Sequence, residues 1–306
     1  METSRIWLFA LYPASVLLVG AILSTSAAVW AGEEKLSESA ASGASGGFVY
    51  DYFSNWFERS ESAKAEQPHW ITPLITVTPR LEQEVRFDQF WQAQPHGLAQ
   101  SISGGAKLEL IPWDNVELIF GAPPYIARTR YKPKHRQHGL DNWGDVSFLV
   151  KYRLLAANEK QGNYIVTLFM GVTAPTGSKR LGAGHAVYTP TIAFGKGWGD
   201  FDIQSTVAVA IPSGGEDRLG MPVSYNTALQ YRLLKKIWPE LEFNYTWWPN
   251  GEKTGNNQLY LTPGVVIGRL PIWKTLGFTV GTGVQVAVTR HRSFDRNWIL
   301  SMRLPF

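Results

Sequence analysis

The chain has 306 residues, and its mean hydropathy of −0.13 excludes a protein built from many membrane-spanning helices. Its formal net charge of +4 is small, and no basic run is long enough to indicate nucleic-acid binding. The sequence contains no cysteine, which excludes disulfides, thiolate metal sites and a lipid-modified cysteine anchor.

The N-terminus has the features of a secretory signal peptide. Arg5 precedes a long apolar stretch, and small residues then lead to Ala28 and Ala31. The stretch is near the length of a spanning helix, but Pro13 and a Ser/Thr-rich end favour cleavage over anchoring. We expect residues 1–31 to be removed after export across the inner membrane.

Residues 32–80 are predicted to form a flexible linker and an aromatic-rich periplasmic segment. Residues 32–47 are mostly Gly, Ser, Ala and Glu, a composition typical of a linker. Residues 48–63 place aromatic side chains on one helical face, which predicts a short helix on the membrane surface or against the rim of a barrel. The alternative is a plug that enters the lumen. Residues 64–80 form a polar, proline-containing approach.

From residue 81 to residue 306 the hydropathy pattern has a period of two. Apolar residues alternate with polar or small ones in about twelve segments of the length that a tilted membrane-spanning strand requires. Short connections alternate with longer polar ones, as periplasmic turns alternate with external loops. We predict an all-β protein: a transmembrane antiparallel up-and-down β-barrel of about 12 strands over residues 81–306, with a short N-terminal helical or irregular segment.

A soluble β-sandwich also has alternating strands. Here the apolar faces end in aromatic residues, and the chain stops at Phe306 inside an alternating segment that begins at Trp298. A terminal Phe on such a strand resembles the signal read by the barrel assembly machinery of the outer membrane. We therefore expect a monomer in the outer membrane of a Gram-negative-type bacterium, in contact with lipid and lipopolysaccharide.

Two neighbouring stretches carry a resemblance to a known family. Gly144-Asp145 leads into a strand that ends in Lys-Tyr-Arg, and the next strand ends in Pro-Thr-Gly at residue 177. This pairing resembles the outer-membrane transporter family named for the phenol-degradation meta-cleavage pathway. The resemblance implies an outer-membrane barrel and, more loosely, uptake of small hydrophobic or aromatic compounds.

If the apolar residues face lipid, the residues between them face the lumen. The predicted strands then supply ten charged lumen-lining candidates: Glu82, Glu84, Arg86, Asp88, Lys107, Glu109, Lys151, Arg153, Asp202 and Glu242. Charges of both signs in a pore can set ion or solute selectivity. The alternative is that opposite charges on neighbouring strands pair and fill a narrow lumen. Arg153 and Arg232 lie near the periplasmic ends of their strands, where they could instead brace turns.

The predicted loop 122–143 carries clustered basic residues: Arg128, Arg130, Lys132, Lys134 and Arg136, with His135 and His138 among them. We expect this cluster to contact the phosphates of surface lipopolysaccharide, because clustered charge is sufficient for binding anionic head groups. The alternative is attraction of anionic solutes. The spacing predicts no metal site, and we expect no cofactor.

The function predicted from these features is passive or gated diffusion of small molecules through an outer-membrane channel or transporter. One alternative is a structural or adhesive barrel. A less favoured alternative is an outer-membrane lipid hydrolase, which would need a His that activates a Ser on one wall. All six histidines fall in predicted loops or before the barrel, and His291 near Ser293 is a loop neighbour and no more. No catalytic residue is therefore assigned.

Overall fold

A closed antiparallel sheet dominates the computed structural model, which describes residues 50, 52–95, 98–131, 136–138, 141–178 and 181–306. Residues 55–306 form one compact unit. The separate unit, residues 1–54, contributes a helical stretch at residues 52–54 to the described part of the chain. The predicted signal peptide and the predicted linker 32–47 lie outside the described residues.

The strands are β1 (Glu84–Gln94), β2 (Leu98–Ser103), β3 (Lys107–Trp113), β4 (Val116–Gly121), β5 (Tyr125–Tyr131), β6 (Arg136–His138), β7 (Asn142–Trp143), β8 (Val146–Ala157), β9 (Tyr164–Ala174), β10 (Val187–Trp198), β11 (Phe201–Val209), β12 (Ile211–Pro212), β13 (Val223–Tyr231), β14 (Ile237–Trp247), β15 (Asn257–Pro271), β16 (Gly277–Ala287) and β17 (Arg296–Pro305). Two helices accompany them, α1 (Trp56–Ala65) and α2 (Glu216–Leu219).

Twelve spanning strands result from these segments. Each of the pairs β2–β3, β4–β5, β7–β8 and β11–β12 forms one interrupted strand, and β6 lies in the loop after β5. The barrel closes where β1 pairs with β17, in a register that runs from Glu84 opposite Pro305 to Ala93 opposite Arg296. The predicted antiparallel barrel of about 12 strands is confirmed.

The barrel is apolar outside and polar inside, which reverses the arrangement of a soluble protein. Large apolar side chains lie exposed on its outer surface: Phe120, Leu168, Met170, Ile192, Phe194, Tyr231 and Trp298. The residues between them are buried and polar: Lys151, Thr167, Gln204, Gln230, Glu242, Ser301 and Arg303. Such a surface needs lipid around it, and only a closed barrel satisfies every strand's backbone groups there. The chain is an outer-membrane β-barrel, as predicted.

Strand lengths differ from the prediction at one place. Residues 122–143 were expected to be loop, but β5 continues the wall from Tyr125 to Tyr131 and β7 begins at Asn142. The strand is interrupted at Pro123 and Pro124, which cannot donate ladder hydrogen bonds, and it then resumes its alternation. The barrel wall therefore extends further on the side of the longer loops than the sequence predicted.

Helix α1 lies at the periplasmic rim, the end of the barrel where the strands are joined by short turns. Trp56 Nε1 donates to Gln83 Oε1 (2.8 Å), and Arg153 Nη1 donates to the carbonyl of Ala63 (2.6 Å). Ala63 is buried together with Leu81 and Ile111. The helix therefore covers the base of the barrel and directs the following chain towards the lumen. Among the described residues no helix is long and apolar enough to cross a membrane.

Candidate functional site

Residues 67–83, the plug segment, occupy the lumen before the chain turns back into β1. Within this segment His69 and Val77 are exposed, Ile75 is half-buried, and the remaining residues are buried. Three prolines divide it: Pro68, Pro73 and Pro79. Because proline neither donates to a ladder nor continues a helix, the segment forms an irregular loop and not another strand.

The plug segment is closed at its base by its own side chains. Gln67 and Leu81 exchange two hydrogen bonds, from Gln67 Nε2 to the Leu81 carbonyl (2.7 Å) and from the Leu81 amide to Gln67 Oε1 (2.9 Å). Arg80 donates to the carbonyl of Trp70 and pairs with Glu82 at 2.6 Å. The two ends of the segment therefore lie together, as in an Ω-loop, and its tip points into the barrel.

Two glutamates of β14 accept hydrogen bonds from the tip of the plug segment. Glu242 accepts from the amides of Ile75 (2.8 Å) and Thr76 (2.6 Å) and from Thr76 Oγ1 (2.5 Å). Glu240 Oε1 accepts from the amide of Leu74 at 3.2 Å. These amides have no strand partner, so the carboxylates satisfy donors that would otherwise be buried and unpaired.

Arginines on β17 and β1, three and four strands further round the wall from β14, donate to the carbonyls of the same tip. Arg303 on β17 donates to the carbonyl of Pro73 (2.7 Å), and Arg86 on β1 donates to the carbonyl of Leu74 (2.8 Å). Acidic side chains on β14 and basic ones on β17 and β1 thus bind the donors and acceptors of one short segment. Sequence reasoning expected Arg86 and Glu242 in the lumen, but it did not identify their partner.

Glycines in the wall make room for the tip of the plug segment. An added Cβ would lie 2.5 Å from a methyl carbon of Leu74 at Gly264, and 2.7 Å at both Gly281 and Gly283. Leu74 is 1% exposed and packs with Ile71, Trp238, Val266 and Ile299 in the buried apolar cluster. The wall is therefore shaped to receive this side chain, and larger residues at the glycine positions would exclude it.

Several of the lumen charges pair with one another. Arg86 Nε lies 2.8 Å from Asp88 Oδ2, and Lys151 Nζ lies 3.1 Å from Glu117 Oε1, with both partners of each pair buried. Lys151 Nζ also donates to the carbonyl of Arg80 in the plug segment (3.1 Å). Pairing of this kind is what buried charges require, and it matches the alternative in which the charges fill a narrow lumen.

Glu84, Glu109 and Lys107 are less completely paired. Glu84 and Glu109 lie directly opposite each other on β1 and β3, each 4% exposed. Within the described part of the chain, neither has a basic side chain within 4.0 Å. Lys107 Nζ lies 3.7 Å from Asp88, whose carboxylate is already bonded to Arg86, and the Lys107 side chain is 33% exposed.

The remaining lumen candidates lie towards the periplasmic end. Asp202 is buried and accepts from Gln204 Nε2 (3.0 Å), which also donates to the carbonyl of Ile71 in the plug segment (2.9 Å). Arg153 donates to Asn115 Oδ1 (2.9 Å) in the turn between β3 and β4. These contacts place Asp202 against the plug segment, whereas Arg153 braces a turn and holds helix α1.

A polar contact fastens the base of the plug segment to a periplasmic turn. Glu159 accepts from the amide of His69 (2.6 Å) and lies 2.8 Å from His69 Nδ1. Partial burial raises the pKa of the Glu159 carboxyl, but the hydrogen bonds from His69 outweigh that effect and leave the pKa below its ordinary value. Arg269 adds a hydrogen bond to the carbonyl of His69 at 3.0 Å.

The expected lipopolysaccharide contacts are only partly described. Arg128 lies on β5 and not in a loop, and its Nε donates to Gln100 Oε1 at 2.8 Å. Arg130 and Arg136 belong to strands β5 and β6. Lys132 and Lys134 lie outside the described residues. Contact of these residues with lipopolysaccharide stays a prediction.

The residues that carry the family resemblance hold a loop together. Asp145 accepts from the amides of Gly177 (2.7 Å) and Ala183 (2.8 Å), and Thr176 Oγ1 accepts from the amide of Val146 (2.9 Å). A Cβ at Gly177 would lie 2.8 Å from Asp145 Oδ1, so this glycine is required for the close approach. The Gly-Asp and Pro-Thr-Gly motifs therefore stabilise one external loop.

The histidine and serine considered for lipid hydrolysis have other partners. His291 packs edge-on against Trp248, with ring centroids 5.6 Å apart, and Ser293 Oγ donates to Gln258 Oε1 at 3.2 Å. Among the described residues no group of three or more His, Asp or Glu side chains is placed to hold a metal ion.

No family model and no curated protein matches the sequence. Among solved structures, an outer-membrane channel from Pseudomonas putida F1 has a TM-score of 0.48 and 14% identity, over 77% of this chain and 99% of that chain. The NanC porin has a TM-score of 0.47 and 8% identity, over 72% and 98%. Outer membrane phospholipase A from Escherichia coli has a TM-score of 0.35 and 10% identity, over 80% and 97%. At these scores the likeness carries no argument about what this chain transports or catalyses.

Proposed function

We propose that this protein is an outer-membrane channel for small molecules and that the plug segment closes its lumen at rest. The observation that carries the proposal is the binding of one buried loop from two sides. Glu242 accepts from its amides, and Arg86 and Arg303 donate to its carbonyls. A polar lumen filled by an exchangeable segment suits a gated channel better than a permanently open one.

The way in which the plug segment is held makes its release feasible. It contributes no strand to the barrel, so the wall keeps all of its ladder hydrogen bonds if the segment leaves. Its polar contacts with the wall are mostly side-chain hydrogen bonds, which water can replace once the lumen is wet, whereas the apolar packing of Leu74 holds it in place. The same charged side chains would then line the pore and act on passing solutes.

The transported molecules are small, and the sequence resemblance supports hydrophobic or aromatic compounds among them. The same proposal includes removal of residues 1–31, recognition of Phe306 by the barrel assembly machinery, lipopolysaccharide contact and a monomeric, non-enzymatic protein. A structural barrel is the second candidate, because a filled lumen would also stiffen a purely structural wall.

A reversible crosslink separates the two candidates. Thr78 Oγ1 donates to Gln204 Oε1 at 2.7 Å, so Thr78→Cys and Gln204→Cys would place two thiols across the interface between plug segment and wall. The natural chain has no cysteine, so a cleavable bis-methanethiosulfonate reagent can react only there. The variant would be refolded and recorded in planar bilayers, with Thr78→Cys alone as the matched control.

A gated channel predicts brief openings before crosslinking, silence after it, and recovery of the openings on reduction. A chain that lacks residues 32–80 should stay open. Equal conductance with and without the crosslink would show that the plug segment is no gate. Silence of the truncated chain, with folding verified by heat-dependent gel mobility, would favour the structural barrel.

A further inference from the structure

A cavity of about 190 Å³ remains between the plug segment and the wall. Thr72, Val77 and Thr78 line it from the plug segment, and Lys107 and Glu109 line it from β3. Val77 is 38% exposed although its neighbours in the plug segment are buried. The cavity therefore combines an apolar surface on the plug segment with charged groups on the wall.

Two of the four charged groups around this cavity are already occupied. Arg86 is bonded to Asp88 and to the carbonyl of Leu74, and Lys151 is bonded to Glu117. Lys107 and Glu109 differ, because the ammonium of Lys107 has only a distant carboxylate at 3.7 Å and Glu109 has no basic side chain within 4.0 Å among the described residues. The Lys107 ammonium and the Glu109 carboxylate thus face the same cavity, and each can still form hydrogen bonds with a bound molecule.

Glu109 stands in an environment that favours an added cation. It lies directly opposite Glu84 in the β1–β3 ladder, and like charges in that arrangement repel each other. Among the residues that the structure describes, Glu84 Oε1 has no hydrogen-bond partner although it is buried. An ammonium group beside Glu109 would therefore gain a charge-assisted hydrogen bond to its carboxylate.

We propose that this cavity binds a small zwitterionic solute of the amino-acid class, with its carboxylate on Lys107 and its ammonium on Glu109. The inference rests on the proposed channel function, since it names a solute class for that lumen. Lys107 and Glu109 are two residues apart on one face of a strand, about 7 Å between their Cα atoms. A dry cavity of about 150 Å³ is large enough for benzene, so the space admits a molecule of comparable size.

Such a solute would rest directly on the plug segment. Val77 would contact its apolar part, and Thr72 and Thr78 lie beside it. Thr78 also holds Gln204 of the wall through its hydroxyl group. A bound solute would therefore lie beside Thr78, which holds the plug segment to the wall, and this placement links recognition of the solute to release of the plug segment.

The test uses three probes that differ only in their charged ends: γ-aminobutyrate, butyrate and butylammonium. The folded mature chain in detergent micelles would be titrated with each probe by calorimetry, with folding verified by heat-dependent gel mobility. We expect γ-aminobutyrate to bind at least about tenfold more tightly than either single-charge probe, a difference of about 1.4 kcal/mol. Because binding at equilibrium needs no conductance, failure here is separate from failure of the channel proposal.

Variants assign the binding to the cavity. Lys107→Gln and Glu109→Gln should each remove the advantage of the zwitterion, and Lys107→Arg should keep most of it. Lys253→Gln, on an external loop and outside the cavity, is the matched control and should change nothing. If Glu109→Gln does not fold, Lys107→Gln and Lys107→Arg still decide the question.

The inference is overturned by any of three results. One is equal affinity for butylammonium and γ-aminobutyrate, which would indicate a cation site or a proton shared by Glu84 and Glu109. Another is equal affinity for butyrate and γ-aminobutyrate, which would indicate a simple anion site. The last is absence of binding up to about 10 mM, beyond the weak affinity that a site releasing its solute can have.

Discussion

Glu242 Oε2 accepts hydrogen bonds from both the amide and the hydroxyl of Thr76, at 2.6 Å and 2.5 Å. Its other oxygen accepts from the amide of Ile75 at 2.8 Å. A single carboxylate on the wall thus satisfies three donors of the plug segment. In a buried site each donor left unsatisfied costs about 1–3 kcal/mol, so this residue contributes strongly to keeping the segment in place.

Replacing Glu242 should loosen the plug segment. We expect Glu242→Ala to raise the open probability of the full-length channel at least about tenfold, since loss of even one such hydrogen bond is worth about 1.4 kcal/mol. Single-channel recording in planar bilayers measures the change. Glu252→Ala, on an exposed external loop, is the control. An unchanged open probability in a folded Glu242→Ala protein would contradict this role.

The fit between Leu74 and the wall glycines gives a paired prediction. Gly264→Val should displace the tip of the plug segment, because even a Cβ would lie 2.5 Å from a Leu74 methyl carbon. We expect more frequent openings in Gly264→Val and recovery towards the wild-type pattern when Leu74→Ala is added. The two residues should therefore be coupled in a double-mutant cycle of open probabilities. If the effects of Gly264→Val and Leu74→Ala on open probability simply add, Gly264 does not act by making room for Leu74.

The contact between Glu159 and His69 predicts a dependence on pH. The pKa of Glu159 is lowered in the folded protein, so the contribution of this contact is fully present above the ordinary pKa of glutamate, about 4.3, and is lost as the pH falls through the lowered value. We expect protection of the His69 amide from hydrogen exchange, corrected for the intrinsic rate, to fall on acidification.

Glu159→Gln is the matched variant for this contact, because glutamine keeps an acceptor but does not titrate. Its His69 amide should be less protected than in the wild type near neutral pH and should show no acid step. Nuclear magnetic resonance of the refolded chain in micelles resolves the single amide. The same acid step in both proteins would assign it to a group other than Glu159.

The loop held by Asp145 can be tested by proteolysis. Asp145→Ala removes two charge-assisted hydrogen bonds, each worth about 1.5–3 kcal/mol, and leaves the backbone hydrogen bonds of the barrel wall in place. We expect faster trypsin cleavage at Lys179 or Arg180, with heat-dependent gel mobility of the barrel retained. Asp217→Ala, on helix α2, is the control and should leave the rate unchanged. Equal cleavage rates in wild type and Asp145→Ala would refute the structural role of the motif.

Strand positions were predictable because a membrane barrel imposes a strict period of two on its wall. Charged residues such as Lys151 and Glu242 stand between apolar neighbours in the sequence, and both are buried in the structure. The extension of the wall through Tyr125–Tyr131 was not predicted, because two consecutive prolines there indicate a loop. Alternation resumes after them, and a pattern of only a few residues is a weak signal.

The plug segment shows the limit of sequence reasoning most clearly. The aromatic-rich residues 48–63 suggested a plug as an alternative to a rim helix. In the structure the lumen is occupied by residues 67–83. The prolines of that segment exclude regular structure, but they do not indicate where an irregular loop lies. Two of its partners, Glu242 and Arg303, are more than 160 residues away in sequence.

The alternation of apolar and polar residues by itself determined the barrel, the number of its strands and their lipid-facing sides, because each follows from local periodicity and the demand that every backbone group in lipid be paired. Only the tertiary structure decided what the lumen holds and which charges remain free. Glu242 and Arg303 form hydrogen bonds with the plug segment, whereas Lys107 and Glu109 face a cavity. That difference arises because the barrel closes around a loop. Closure brings together groups whose contact cannot be predicted from their spacing in sequence.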